Sequence, residues 1–276
     1  MTFPLDHVVI NILFDMDRAA ATMSQLGFTL TPRGYHSLGS INHLMMFEHD
    51  YLELIGLPSG TDKLRKDVLE SPRGLNGLVF KVNDADASRQ TLSDSGLTML
   101  EPQSFSRPVT IGGVEHLARF RTVRAAPDMF EAGRVYYCQH YTPELVWYRP
   151  WMSHPNAVRG LRELVIVTEN AEVEVPRYSK AAQSSPERQG DDWVIALPGG
   201  FRLTLMSPAR YRARYAELAV ESDGRSGFFG AIVLDAPDLA WIGNLASLVP
   251  DLGIEAVEGA LRVQVPFLNT LLEFRG

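Results

Sequence analysis

Apolar runs alternate with amphipathic stretches along this chain, and the alternation repeats. Residues 5–13 form an apolar, β-branched run without clean alternation, as expected of a strand covered on both faces. Asp15 or Asp17 can cap a helix over 18–26, and Gly27 stands where a left-handed C-cap belongs. Residues 29–31, 41–47 and 51–57 read as three more strands, with Glu48-His49-Asp50 as the tight turn between the last two. The predicted order is βαβββ.

The same order returns from Leu78. A strand over 78–82 precedes a helix capped by Asp84 or Asp86, which runs to Ser95 and stops at Gly96. Strands follow near 103–107, 116–123 and 134–141, with a longer polar connection over 125–133. Residues 142–160, with Trp147, Tyr148 and Trp151, read as a structured crossover. Beyond it the pattern is fainter: strands over 161–168, 193–197 and 201–206 with a helix over 175–183, then strands over 230–235, 261–265 and 270–275 with a helix over 239–248. Leu271-Leu272-Glu273-Phe274 echoes Tyr51-Leu52-Glu53-Leu54. The expected fold is α+β, four βαβββ modules paired into two curved-sheet domains, 1–150 and 151–276. Each module covers one sheet face with its own helix and leaves the other free for a ligand.

Composition narrows the class. Apolar residues make up 45% and charged residues 21%, the balance of a globular protein. No apolar run approaches the roughly 20 residues of a membrane span, and no signal peptide is evident, so no membrane partner is expected and the cytoplasm is the default. The net charge of −7 and the lack of a dense basic run argue against nucleic acid. Arg210, Arg212 and Arg214 read as a scattered exposed face. The single cysteine, Cys138, excludes an internal disulfide and reads as a small buried hydrophobe.

Motifs for nucleophilic catalysis, phosphate loops and zinc proteases are absent. Histidines carry the chemical interest. His49 and His154 are expected to face solvent, and His36 lies near a strand end without an evident partner. His7, His43, His116 and His140 fall within predicted strands, where an ionisable ring needs a reason to be. Glu53, an acid between leucines, is costly there unless a cation or hydrogen bonds compensate. A divalent metal (Fe, Mn, Ni or Zn) accounts for such a set economically, because imidazole and carboxylate ligands leave positions open for substrate.

Leu5-Asp6-His7-Val8-Val9, Tyr51-Leu52-Glu53-Leu54-Ile55 and Cys138-Gln139-His140-Tyr141-Thr142-Pro143 make residues 3–150 resemble the glyoxalase-like proteins of the vicinal oxygen chelate superfamily. In that superfamily, first and fourth strands of paired modules supply metal ligands. The resemblance implies His7 and Glu53 as ligands from the first module. In the second, the first-strand position falls on Gly77, which has no donor, and the fourth-strand position near His140. His43 and His116 are then expected as acid–base or substrate-contacting residues, and Tyr51, Tyr136 and Trp147 as lining. The corresponding C-terminal positions are Glu163, Gly230 and Glu273, without a histidine, so that half is expected to be structural or lid-forming. The implied function is a metal-dependent lyase, isomerase or dioxygenase for a small oxygenated organic substrate. The alternative is a metal-free protein that sequesters a small molecule. A homodimer is left open.

Overall fold

Two eight-stranded curved sheets, one from each half, carry the chain in a computed structural model that describes residues 2–276. The first comprises β1 (Leu5–Leu13), β2 (Gly34–Tyr35), β3 (Ile41–Met46), β4 (Tyr51–Gly56), β5 (Gly74–Lys81), β6 (Gln103–Ile111), β7 (Val114–Arg124) and β8 (Arg134–His140). The second comprises β9 (Gly160–Thr168), β10 (Pro186–Gln189), β11 (Asp192–Ala196), β12 (Arg202–Met206), β13 (Gly227–Asp235), β14 (Gly253–Val257), β15 (Ala260–Val265) and β16 (Thr270–Arg275). The orders, β2-β3-β4-β1-β5-β8-β7-β6 and β10-β11-β12-β9-β13-β16-β15-β14, are the same pattern shifted by eight. Each sheet therefore joins two βαβββ modules through a central antiparallel pair, β1 with β5 and β9 with β13.

The module helices are α1 (Met16–Gln25), α3 (Ala85–Asp94), α4 (Ala171–Ala182) and α6 (Leu239–Ser247); two further helices are α2 (Lys66–Leu69) and α5 (Pro208–Tyr215). Helix α1 buries Met16, Ala19, Thr22 and Met23, a stripe at helical spacing. The Asp84 carboxylate caps α3 by accepting from the Asp86 and Ala87 amides at 3.0 Å. One apolar core runs through the helix-covered faces of both sheets, from Val8, Ile10 and Ile12 of β1 to Leu164 and Ile166 of β9. Tyr137 in β8 donates its hydroxyl to the Ala181 carbonyl of α4 at 2.8 Å, tying the halves together.

Several expectations change. Residues 29–31 form no strand; the edge is the two-residue β2 instead. Strands β6 and β7 run longer than expected and meet at Gly112-Gly113, both at positive φ, where a turn between extended strands needs glycine. His154 is buried rather than exposed. Its Nδ1 accepts from the Thr29 amide at 3.0 Å and its Nε2 donates to the Met46 carbonyl at 2.8 Å, so the crossover is strapped to the first half by a neutral imidazole.

The free face of the second sheet is filled by the chain itself. Helix α5 lies across it with Tyr211 and Tyr215 buried, and Tyr211 donates to the Gly230 carbonyl at 2.8 Å. A side chain at 230 has no room, since a Cβ there would stand 2.5 Å from the Tyr211 ring. Arg214 reaches Glu163 at 3.1 Å and Glu273 at 3.3 Å, and Arg202 also meets Glu163. Arg214 thus supplies the cation that two buried carboxylates require, correcting its reading as part of an exposed face. No described helix is long and apolar enough to cross a membrane.

Candidate functional site

On the first sheet the free face carries a polar cluster centred on Asp6. Regular alternation would put Asp6 and His7 on opposite faces. The β1–β5 register slips between Leu5 and His7, and this irregularity lets both side chains reach the free-face cluster. His7 Nδ1 lies 2.7 Å from Asp6 Oδ2, and His140 Nε2, from the end of β8, lies 3.0 Å from the same oxygen. The other edge of His7 meets Glu53 of β4, with Nε2 and Oε2 3.4 Å apart. Asn42 of β3 donates its Nδ2 to Glu53 Oε1 at 2.6 Å. A continuous chain results: His140, Asp6, His7, Glu53, Asn42.

Packing fixes these groups. The Tyr51 ring stacks on His7 at 4.2 Å, and Tyr136 meets His7 edge-on at 6.0 Å. Trp147, from the crossover, contacts His140 at 5.0 Å and Tyr51 at 5.7 Å and takes the Lys81 ammonium over its face at 3.9 Å.

Burial alone would neutralise every charge here. It is overcome where opposite charges meet. Burial pushes the Asp6 carboxyl up, but His140 and then His7 hold it well below the usual carboxylate range. Burial pulls His7 down, but the hydrogen bonds to Asp6 and Glu53 raise it. Glu53 resists burial through His7 and settles at about 2. His36 has only a hydroxyl partner, Ser40 Oγ at 2.8 Å, and burial drives it down to about 3. Burial also raises the Cys138 thiol.

Two spaces adjoin the cluster. A cavity of about 30 Å³ lies under it, lined by His7, His36, Asn42, Glu53, Arg107 and Tyr136 among others. A groove of about 1150 Å³ runs between the halves, walled by Lys81, His140 and Trp147 from one side and Arg159, Arg162 and Phe201 from the other.

The strand registers revise the position assigned to His140. Glu53 pairs with Val9, two residues beyond His7; the matching partner of Val79, two beyond Gly77, is Tyr136. Tyr136, not His140, therefore takes the fourth-strand place in the second module. His140 lies four residues farther along the same face. Gly77 is hemmed in, since a Cβ there would stand 2.9 Å from Val9. The structure joins His7 to Glu53 directly but His140 only through Asp6. Instead, Asp6, Cys138 and His140 bring one ligand atom each within 4.8 Å of one another, a three-donor group among the described residues.

Of the remaining residues singled out in the sequence, Tyr51 and Tyr136 line the cavity and Trp147 the groove. His43 belongs to the helix-covered face of β3, bonded to the Thr31 carbonyl at 2.7 Å and to Arg33 at 3.3 Å. His116 is exposed on the outer β6–β7 hairpin. Neither lines the cavity. Sequence reasoning read Cys138 only as a small buried hydrophobe and His36 as lacking a partner, and it passed over Asp6, Asn42 and Arg107 as site residues. Arg107 did leave a signal, a lone cation alternating with Phe105 and Val109 on an apolar strand face.

A family model described as a glyoxalase-like domain matches residues 5–182. No curated protein matches in sequence. Among solved structures, a hypothetical protein from Staphylococcus aureus is similar over 98% of both chains at 12% identity, with a TM-score of 0.68. A mutant 4-hydroxymandelate synthase from Streptomyces coelicolor is similar over 99% of this chain and 92% of that one, at 11% identity and a TM-score of 0.56. A xylose isomerase-like TIM barrel/4-hydroxyphenylpyruvate dioxygenase fusion protein is similar over 99% of this chain and 49% of its own, at 15% identity and a TM-score of 0.60. At these identities the likenesses establish the fold alone.

Proposed function

The chain belongs to the glyoxalase-like domain family, and from that premise we propose that it is a metal-dependent enzyme acting on a small oxygenated organic molecule at the free face of its first sheet. The observation that carries this reading is the convergence of Asp6, Cys138 and His140 within 4.8 Å. Three protein ligands with open remaining positions is the count of a catalytic rather than a structural site, and cysteine sulfur, imidazole and carboxylate suit a first-row divalent metal, which on binding would displace the proton that burial holds on Cys138. His140 presents its Nε2 edge to Asp6 at 3.0 Å, while its buried Nδ1 has no hydrogen-bond partner.

A metal held by Asp6, Cys138 and His140 would supply Lewis acidity toward a substrate oxygen. The protein's own residues do the rest. His7 orients Asp6 from behind, as a hydrogen-bonded neighbour of a ligating carboxylate does. His7 also holds a proton between Asp6 and Glu53 at the cavity wall, so in this reading it takes the acid–base role expected of His43 or His116. The stacked Tyr51 ring keeps the imidazole from rotating. Tyr136 lines the cavity, and Trp147 borders the groove beside His140.

Titration of Mn²⁺ or Zn²⁺ into chelator-stripped protein tests the assignment. Cys138→Ser and His140→Ala should each weaken binding by more than the roughly 10- to 100-fold that loss of a ligand's hydrogen-bonded neighbour costs. Wild-type affinity in both variants would contradict it. Strong loss in Glu53→Gln with retention in Cys138→Ser would move the metal to the His7–Glu53 pair. Gly77 and Tyr136 at two ligand positions favour a second reading, a metal-free binding protein, which predicts no uptake in any variant.

A further inference from the structure

Arg107 is a charged cavity residue that the reading above does not use. It sits on β6, is 3% exposed, and makes no ion pair and no side-chain hydrogen bond to a described residue. Its Nη2 is fully buried and unpartnered. What it has is an aromatic wall: its guanidinium lies 5.9 Å from the centre of the Phe120 ring, which stacks on Phe105. A buried guanidinium without an anion is costly, as half of an ion pair left behind is.

The other charges around the cavity do not satisfy it. Glu53 is nearby but turned to His7 and Asn42. Arg65 meets Asp67 with both contacts at 2.9 Å, a carboxylate it shares with Arg124 and Arg134. His36 is kept neutral by burial. Asp6 and Glu53 both face His7, so Arg107 is left without a carboxylate of its own.

We propose that Arg107 is the anchor for the carboxylate of a small monocarboxylate ligand bound in this cavity. A planar fork of N–H donors matches a carboxylate edge, and flat aromatic walls fit a planar group. A cavity of about 30 Å³ has room for roughly two waters at 10–15 Å³ each, a carboxylate-sized space rather than one for a phosphate ester. A single unpartnered guanidinium fork takes a single carboxylate. The assignment deepens the enzyme reading by naming its substrate class and rests on that reading for turnover. Binding itself needs no metal.

The test uses the full chain stripped of metal. Formate and acetate are compared with the neutral analogues formamide and acetamide by calorimetry and thermal shift. The carboxylates should bind and stabilise wild type, and their neutral counterparts should bind at least 10-fold more weakly. Arg107→Met should abolish the difference while unfolding at a higher temperature than ligand-free wild type, because an unpaired buried charge is gone. Should Arg107→Met fail to fold, Arg107→Lys keeps the charge without the fork and should bind the carboxylates about 10-fold more weakly than wild type. Equal binding of acids and neutral analogues, or undiminished binding in either variant, would overturn the proposal. Carboxylate binding without metal uptake would leave this site standing and remove the metal-dependent enzyme.

Discussion

Replacing Glu53 by glutamine changes one buried charge and almost no volume, so its consequence can be worked from the structure. The carboxylate is buried, accepts from Asn42 at 2.6 Å and faces His7 at 3.4 Å. Burial opposes its charge, yet His7 and Asn42 carry it from 4.5 down to about 2. At 1.36 kcal/mol per pKa unit this corresponds to about 3 kcal/mol favouring the ionised form in the folded state. Breaking a buried pair by removing one partner gives a similar figure, about 3–5 kcal/mol. The sign follows from the depressed value: this stability is present above the unfolded pKa of 4.5 and is lost as pH falls toward 2. Glu53→Gln should therefore lower the opening free energy of β1 and β4 by about 3 kcal/mol at pH 7, read by amide hydrogen exchange and by urea unfolding. The deficit should narrow steadily below pH 4.5. A deficit under about 1 kcal/mol at pH 7, or one indifferent to pH, would refute the ion-pair account.

In an NMR titration His7 should stay protonated above 6.5 while His36 stays neutral to about 3. His7 thus adds stability that is lost as pH rises above 6.5, and His36 adds stability lost as pH falls from 6.5; coincident titration near 6.5 would contradict both environments. Asp50, raised to about 7 by burial, accepts from the Leu161 amide at 3.2 Å in the inter-half groove. Its ionisation weakens the fold as pH rises from 3.8 through about 7, so Asp50→Asn should be more stable than wild type at pH 8, with the gap closing toward pH 4 in thermal melts. Gly230→Ala drives a methyl group into Tyr211 and should cost about 1–3 kcal/mol in urea, with loss of the α5 packing; an unchanged midpoint would refute the tight fit.

Much of the fold is readable in local pattern because each module repeats the same run of strand, cap, helix and glycine stop. Gly27 and Gly96 end α1 and α3 at positive φ, and β1, β4 and β16 lie where the apolar runs place them. What pattern misses depends on distant partners. Helix α5 is polar along much of its length and gains its reason only from Gly230, Glu163 and Glu273. The buried place of His154 depends on Thr29 and Met46, more than a hundred residues away. In the candidate site, His7 and Glu53 stand out as charges on apolar strands and do meet. Asp6 is hidden because alternation assigns it to the opposite face, and only the register slip in β1 brings it to the cluster. The place of His140 requires the β5–β8 register, which no single strand carries.

The most direct measurement is elemental analysis of untagged protein purified anaerobically, beside a Cys138→Ser/His140→Ala double variant. The account predicts close to one equivalent of iron, manganese, nickel or zinc in the wild type and essentially none in the variant. Wild-type protein that stays empty after metal addition, or a variant that keeps its metal, would contradict it.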